Sequence, residues 1–237
     1  MQVDDFALAA ITSELSQEPQ ARAYADYVEF SMSAVEDPIT KLQEYTGELP
    51  LIVTNHPSPK ATEIDSDDRI DALVQASQIN QVEIVDIGLS DAKENEQMVS
   101  GIEAQTIVSY HNGSNTPDIN DLTRVIDECN AIGDFAKISV FAESRSDALD
   151  VLQVIHRANE DGVKIIGVAM GEEGRHTRII GPFYGSRIGY APLDEEMAEP
   201  GQVELEELAS LIQSVAHGGD DVKLMDNLKD KFPSVPK

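Results

Sequence analysis

Eight short apolar runs, each of strand length and separated by helical patterns, constrain this chain more than any other feature. They are "FALAAIT" (6–12), "YVEFSMS" (27–33), "PLIVTN" (50–55), "VEIVDIGL" (82–89), "QTIVSYH" (105–111), "FAKISVF" (135–141), "VKIIGVAM" (163–170) and a weaker "SRIGYAP" (186–192). Runs this continuous suit strands covered on both faces, as parallel strands joined by helical crossovers are. Eight such units point to the α/β class and to a closed (β/α)8 TIM barrel in one domain. An open doubly wound sheet is the other architecture that alternation allows. It is disfavoured because no Gly-rich phosphate loop follows the first run, where "ITSELSQEPQ" stands.

The segments between the runs include "EPQARAYADY", "DPITKLQEY", "DSDDRIDALVQASQI", "DINDLTRVIDECNAI", "SRSDALDVLQVIHRANEDG" and "VELEELASLIQSVAHG". In the fifth of these, Ala148, Val151, Leu152 and Ile155 fall on one helical face, and Gly162 is placed to close the helix. Asp118, and Ser66 or Asp67, are candidate capping side chains. Composition changes at "GGDDVKLMDNLKDKFPSVPK", so a barrel over 1–217 and a charged tail over 218–237 are expected.

Charge narrows the class of partner. With 44 acidic against 17 basic residues the net charge is −27, which argues against nucleic acid and against anionic membrane surfaces. The acids are spread along the chain, the pattern of a solvated surface adapted to a salt-rich cytoplasm, where screening makes self-repulsion tolerable. The single cysteine, Cys129, cannot form an internal disulfide and fits a reducing compartment. No run approaches the roughly 20 apolar residues of a membrane span, and the acidic start is unlike a signal peptide. A cytoplasmic location is expected.

The fifth and sixth runs each carry one ionisable residue. His111 closes the fifth run and Lys137 lies inside the sixth. On neighbouring strands of a barrel, both would approach the catalytic, C-terminal mouth. A lysine among apolar side chains loses hydration, which is expected to depress its pKa and leave some neutral amine. Neutral amine attacks a ketone to form a Schiff base, and a nearby imidazole can then move protons at the adjacent carbon. The competing readings are a lysine that snorkels or pairs with an acid, and a hydrogen-bonded histidine at a strand end. His56, His156, His176 and His217 carry less signal. No histidine or cysteine has metal-ligand spacing, so no metal site is expected.

The ordered motifs "SYHNGSNTP", "GDFAKI", "AMGEEGRHTRIIGPFYGSRIGYAP" and "EPGQ" resemble the type I 3-dehydroquinate dehydratase family in its haloarchaeal form. "VEFSMS", "GELPLIVTN" and "VDIGL" match more loosely. The resemblance implies a TIM barrel, often a homodimer, acting in the shikimate pathway of aromatic amino acid biosynthesis without a cofactor. It also implies a lyase that converts 3-dehydroquinate into 3-dehydroshikimate and water. By motif position Lys137 corresponds to the Schiff-base lysine and His111 to the general acid/base. Arg178 corresponds to the carboxylate-binding arginine and Gln202 to a hydroxyl-binding amide on a covering loop. Met170 would pack on the substrate ring, Tyr190 stands where an aromatic is usual, and Glu29 and Asp86 match acidic strand-end positions.

Several positions depart from the pattern. Glu-x-Arg-x-Asp reads Glu29, Phe30, Ser31, Met32, Ser33 here, and His56 replaces an arginine after the third strand. Ser31 and His56 are thus the residues that stand in the substrate cradle. The acid that supports the histidine is replaced by Lys60, with Glu63 as a substitute in the same loop. Gly88 stands where Glu is usual, and Ala198 stands where a small hydroxyl residue precedes "PGQ". Lost donors in a polar site weaken recognition of a polyhydroxylated acid. A non-catalytic or altered-specificity paralogue is therefore the alternative.

Overall fold

The alternation becomes eight parallel strands. The computed structural model describes residues 6–56, 66–193, 198 and 201–216; the expected tail, Lys60, Glu63 and His217 lie outside them. The strands are β1 (Ala7–Thr12), β2 (Tyr27–Ser31), β3 (Leu51–Thr54), β4 (Val82–Gly88), β5 (Gln105–Asn112), β6 (Phe135–Phe141), β7 (Ile165–Met170) and β8 (Ile188–Pro192). Hydrogen-bonded order runs β7-β6-β5-β4-β3-β2-β1-β8, every pair parallel. The remaining seam is drawn together where Arg187 N–H donates to the Ile165 carbonyl (2.8 Å) and Gly167 N–H to Ser186 Oγ (3.1 Å). The result is the near-closed barrel expected from eight alternating units.

The helices are α1 (Glu18–Ala21), α2 (Pro38–Gln43), α3 (Ser66–Ser77), α4 (Leu89–Glu94), α5 (Glu96–Val99), α6 (Ile119–Asn130), α7 (Arg145–Glu160), α8 (Thr177–Tyr184) and α9 (Leu205–Ala216). Ala148, Val151, Leu152 and Ile155 of α7 are all buried, as their spacing requires. A reciprocal Ser144–Asp147 capping box starts that helix, and Gly162 follows its end at φ +82°. Asp118 caps α6 by accepting from Asn120 N–H and Asp121 N–H. Helix α3 begins at Ser66, and Asp67 sits in its first turn, where an acid suits the helix dipole.

The first helical pattern also shortens. Only one turn, α1, forms in "EPQARAYADY". Buried Glu18 accepts from Arg22 within this segment and from Glu48 N–H and Leu49 N–H across the fold. These bonds tie the turn to the loop before β3 in place of a longer helix.

Side chains alternate along each strand, so the barrel holds layers. One layer is hydrocarbon: Ala9, Ile52, Ile84, Ile107, Ile166 and Ile188, with Tyr27, Phe135 and Tyr190 packed on it. A larger apolar cluster fills the space between strands and helices. Two residues further along β2, β4, β5 and β6 from Tyr27, Ile84, Ile107 and Phe135 stand Glu29, Asp86, Ser109 and Lys137. Charge therefore begins one layer above the oil.

Two substitutions separate these contributions. Asp118→Ala removes an exposed cap and is expected to cost about 1 kcal/mol in urea unfolding. Ile84→Ala opens a cavity in the inner layer and is expected to cost roughly 2–5 kcal/mol by the same measurement.

Candidate active site

β6 carries Lys137 into the lumen, and two other strands answer its charge. Lys137 Nζ lies 2.7 Å from Asp86 Oδ2 on β4 and 3.8 Å from Glu29 Oε2 on β2. The Lys137 side chain is 14% exposed and that of Asp86 is 0% exposed. The ring of Tyr190 on β8 lies 4.2 Å from the same nitrogen, a cation–π contact. His56, just past β3, approaches Asp86 from its other side, with Nε2 3.2 Å from Oδ1. That contact is off-axis: among the described residues Asp86 Oδ1 has no aligned hydrogen-bond donor. Ser109 Oγ stands 3.5 Å from His56 Nε2 and donates to the Ile87 carbonyl.

Burial and charge oppose each other here. Burial pulls the Lys137 amine down, but the Asp86 carboxylate, with Tyr190 and then Glu29 adding to it, outweighs burial and carries its pKa above the ordinary lysine value. Burial pushes Asp86 up, and the two cations, Lys137 foremost, hold it well below the usual carboxylate range. Burial dominates at Glu29, whose pKa is raised despite Lys137, with Asp86 adding to the rise. At His56 burial pulls down and Asp86 pulls up more strongly, so the imidazole is raised. Burial raises the Tyr190 phenol as well, and among the described residues its hydroxyl has no hydrogen-bond partner.

Lys137 is thus a paired ammonium in this state, not the partly neutral amine expected from its apolar strand. The flanking residues of β6 are apolar as read, but the acids come from β2 and β4, which one strand's sequence does not show. The pairing reading of Lys137 holds for the free protein. A buried pair broken by removing one partner costs roughly 3–5 kcal/mol, so the carboxylate also fixes the position of the nitrogen.

His111 lies on the adjacent strand. In the β5–β6 register Ser109 faces Lys137 and His111 faces Ser139. His111 has the same parity along β5 as Ser109 and Ile107, which puts it on the lumen side, at the open end, where it is exposed. Met170 ends β7 with the parity of Ile166 and Val168. Arg178, on α8, donates from Nε to the Gly201 carbonyl at 3.2 Å. Gly201 has φ +82°, and a Cβ there would sit 2.4 Å from the Gly171 carbonyl oxygen, so only glycine lets this loop dock behind β7. Gln202 follows directly, and the same contacts bring it toward Arg178 and the end of β7.

A narrow cavity of about 20 Å³ beside the β7–β8 seam is lined by Lys137, Ser139, Val168, Arg178 and Tyr190, among others. Wider grooves lie elsewhere. One of about 410 Å³ borders Arg22 and Lys41, but Glu18, Glu48 and Glu14 already pair with those cations. Ser31 and Ser33 face each other with their hydroxyls 3.2 Å apart. Ser109 is the site residue that sequence reasoning missed. Its only signal was a serine two places before His111 in an otherwise apolar run.

The model of the family described as Type I 3-dehydroquinase matches residues 20–218. A 3-dehydroquinate dehydratase of Halobacterium salinarum is 38% identical over 223 residues, covering 90% of this chain and 98% of its own. That of Haloquadratum walsbyi is 35% identical, covering 90% and 94%. Among solved structures, the 3-dehydroquinate dehydratase of Geobacillus kaustophilus superposes with a TM-score of 0.79 at 20% identity, covering 90% and 91%. At that identity it speaks for the fold alone.

The ion pair makes a titration forecast. Its carboxylate raises the amine, so Asp86→Asn leaves burial opposed only by the weaker influences of Tyr190 and Glu29 and lowers the Lys137 midpoint from its wild-type value. Competitive acetylation of Lys137 across pH, read by mass spectrometry, measures that shift.

Proposed function

The chain belongs to the type I 3-dehydroquinase family, and from that premise we propose that it dehydrates 3-dehydroquinate to 3-dehydroshikimate through a Schiff base on Lys137. The observation that carries this reading is the lone lysine on β6, enclosed by Asp86, Glu29 and Tyr190 one strand away from His111.

The amine first gives up one proton and adds to the C3 carbonyl. Loss of water leaves an iminium, which acidifies the neighbouring carbon. His111 removes a C2 proton to give an enamine. The enamine expels the C1 hydroxyl while His111 returns the proton, so water leaves. A second water hydrolyses the product iminium and restores Lys137. Arg178 holds the substrate carboxylate as a guanidinium fork, Gln202 takes a ring hydroxyl, and Met170 packs on the ring. Asp86 balances the positive nitrogen in both the ammonium and iminium forms.

The cradle is thinner than the chemistry. Ser31 faces Ser33, and His56 lies against Asp86, so neither supplies the guanidinium that the family pattern places there. The same two contacts favour a second reading, a Schiff-base enzyme acting on a keto acid with fewer hydroxyls. Under the main reading, the loss appears as a raised KM. The net charge of −27 and the single cysteine support a cytoplasmic setting without nucleic-acid or membrane partners. Among the described residues no helix is long and apolar enough to cross a membrane. A homodimer completes the proposal, on the family resemblance.

Enone absorbance in the ultraviolet should grow when 3-dehydroquinate is added. No change at high enzyme and substrate rejects the dehydratase reading. Lys137→Ala should abolish both turnover and borohydride adduct formation. His111→Ala should lower kcat by roughly 10²–10⁴-fold while the adduct on Lys137 still forms.

A further inference from the structure

One carboxylate in this barrel serves two cations. Asp86 is fully buried; Oδ2 meets Lys137 Nζ at 2.7 Å, and Oδ1 lies 3.2 Å from His56 Nε2. The cations differ in access: the His56 side chain is 41% exposed and that of Lys137 is 14% exposed. His56 can therefore exchange protons with water while Lys137 stays enclosed. Space for the imidazole comes from β4 itself. Gly88 has no side chain, and a Cβ there would lie 3.7 Å from His56 Nδ1, in contact with the ring.

We infer that His56 is a charge-tuning, positioning residue for Lys137: when protonated it draws on the Asp86 carboxylate and makes the Lys137 ammonium easier to deprotonate. No proton passes between them. The coupling is one of charge, as the off-axis contact at Oδ1 suits, and it is reciprocal, since each cation lowers the other's hold on its proton. Among the described residues, the groups facing His56 are Asp86 on β4, Glu29 on β2, Lys137 on β6 and the uncharged Ser109 on β5. Asp86 raises the His56 pKa, Glu29 adds to that rise, and Lys137 opposes it, with burial the largest downward influence.

The sign of the effect runs against ordinary lysine behaviour. The neutral fraction of an isolated amine rises tenfold for each pH unit below its midpoint. Here, as pH rises through the His56 titration, the imidazolium charge disappears and Asp86 turns fully to Lys137. The Lys137 midpoint climbs while the pH climbs, and the supply of neutral amine rises only about half as steeply across that window. The supply of nucleophile is thus made less sensitive to pH in that window. The consequence for turnover rests on the dehydratase reading; the charge coupling does not.

The test therefore uses no dehydroquinate. Lys137 reactivity is measured by competitive acetylation with acetic anhydride from pH 5 to 11 in the full chain, read on the Lys137 peptide. His56→Arg fixes a positive charge beside Asp86, and His56→Gln keeps a polar side chain that never carries one. The Lys137 midpoint is expected about one pH unit lower in His56→Arg than in His56→Gln. Wild type should follow the Arg line at acidic pH, cross to the Gln line, and show a segment of about half the slope between. Superposable midpoints in the two variants, or a wild-type profile of one unbroken slope, overturn the inference. If either variant fails to fold by circular dichroism, the wild-type profile alone still decides. Should the shallower segment appear while dehydroquinate gives no enone, the coupling stands and the substrate assignment falls.

Discussion

An ammonium placed inside a barrel must be answered by charge, and the Lys137–Asp86 contact of 2.7 Å is that answer. Most features of the candidate site follow from it. Below lies the isoleucine layer, which offers no polar partner and leaves the lysine only the groups of its own layer. Burial alone would strip a proton from the amine, whereas the carboxylate keeps it. The nitrogen is therefore fixed in place but charged, and the proposed Schiff-base chemistry requires it to be discharged first. A substrate ketone that becomes an iminium conserves the positive charge, so Asp86 has the same role before and after the bond forms.

How much of this could be read from the sequence depends on the range of the information. Strand positions were legible because each run carries its own apolar signal; all eight became strands within a residue or two of the reading. Helix α7 was legible for the same reason. Helix α8 was not, because Gly181 and Pro182 sit inside it and mask a turn that the seam and the Gly201 loop hold in place. Helices α4 and α5 are too short and polar to show a period.

The site divides along the same line. Lys137 and His111 stood out because each breaks a local pattern. Asp86 and Glu29 were assigned through motif resemblance, and the structure brings both to the lysine. The charge state of Lys137 was misread, since it depends on side chains 51 and more than 100 positions away in sequence. His56 was seen as a missing arginine. Its closeness to Asp86 depends on the β3–β4 register and on the bare backbone at Gly88, and neither is written in the residues around it.

The most direct measurement of the central claim is a crystal structure of the protein reduced with borohydride in the presence of 3-dehydroquinate. The account predicts continuous density from Lys137 Nζ to the former carbonyl carbon, with Asp86 still beside the nitrogen and the His111 imidazole facing the adjacent ring carbon. A ligand bound elsewhere, with Lys137 unmodified and still closed on Asp86, would contradict it.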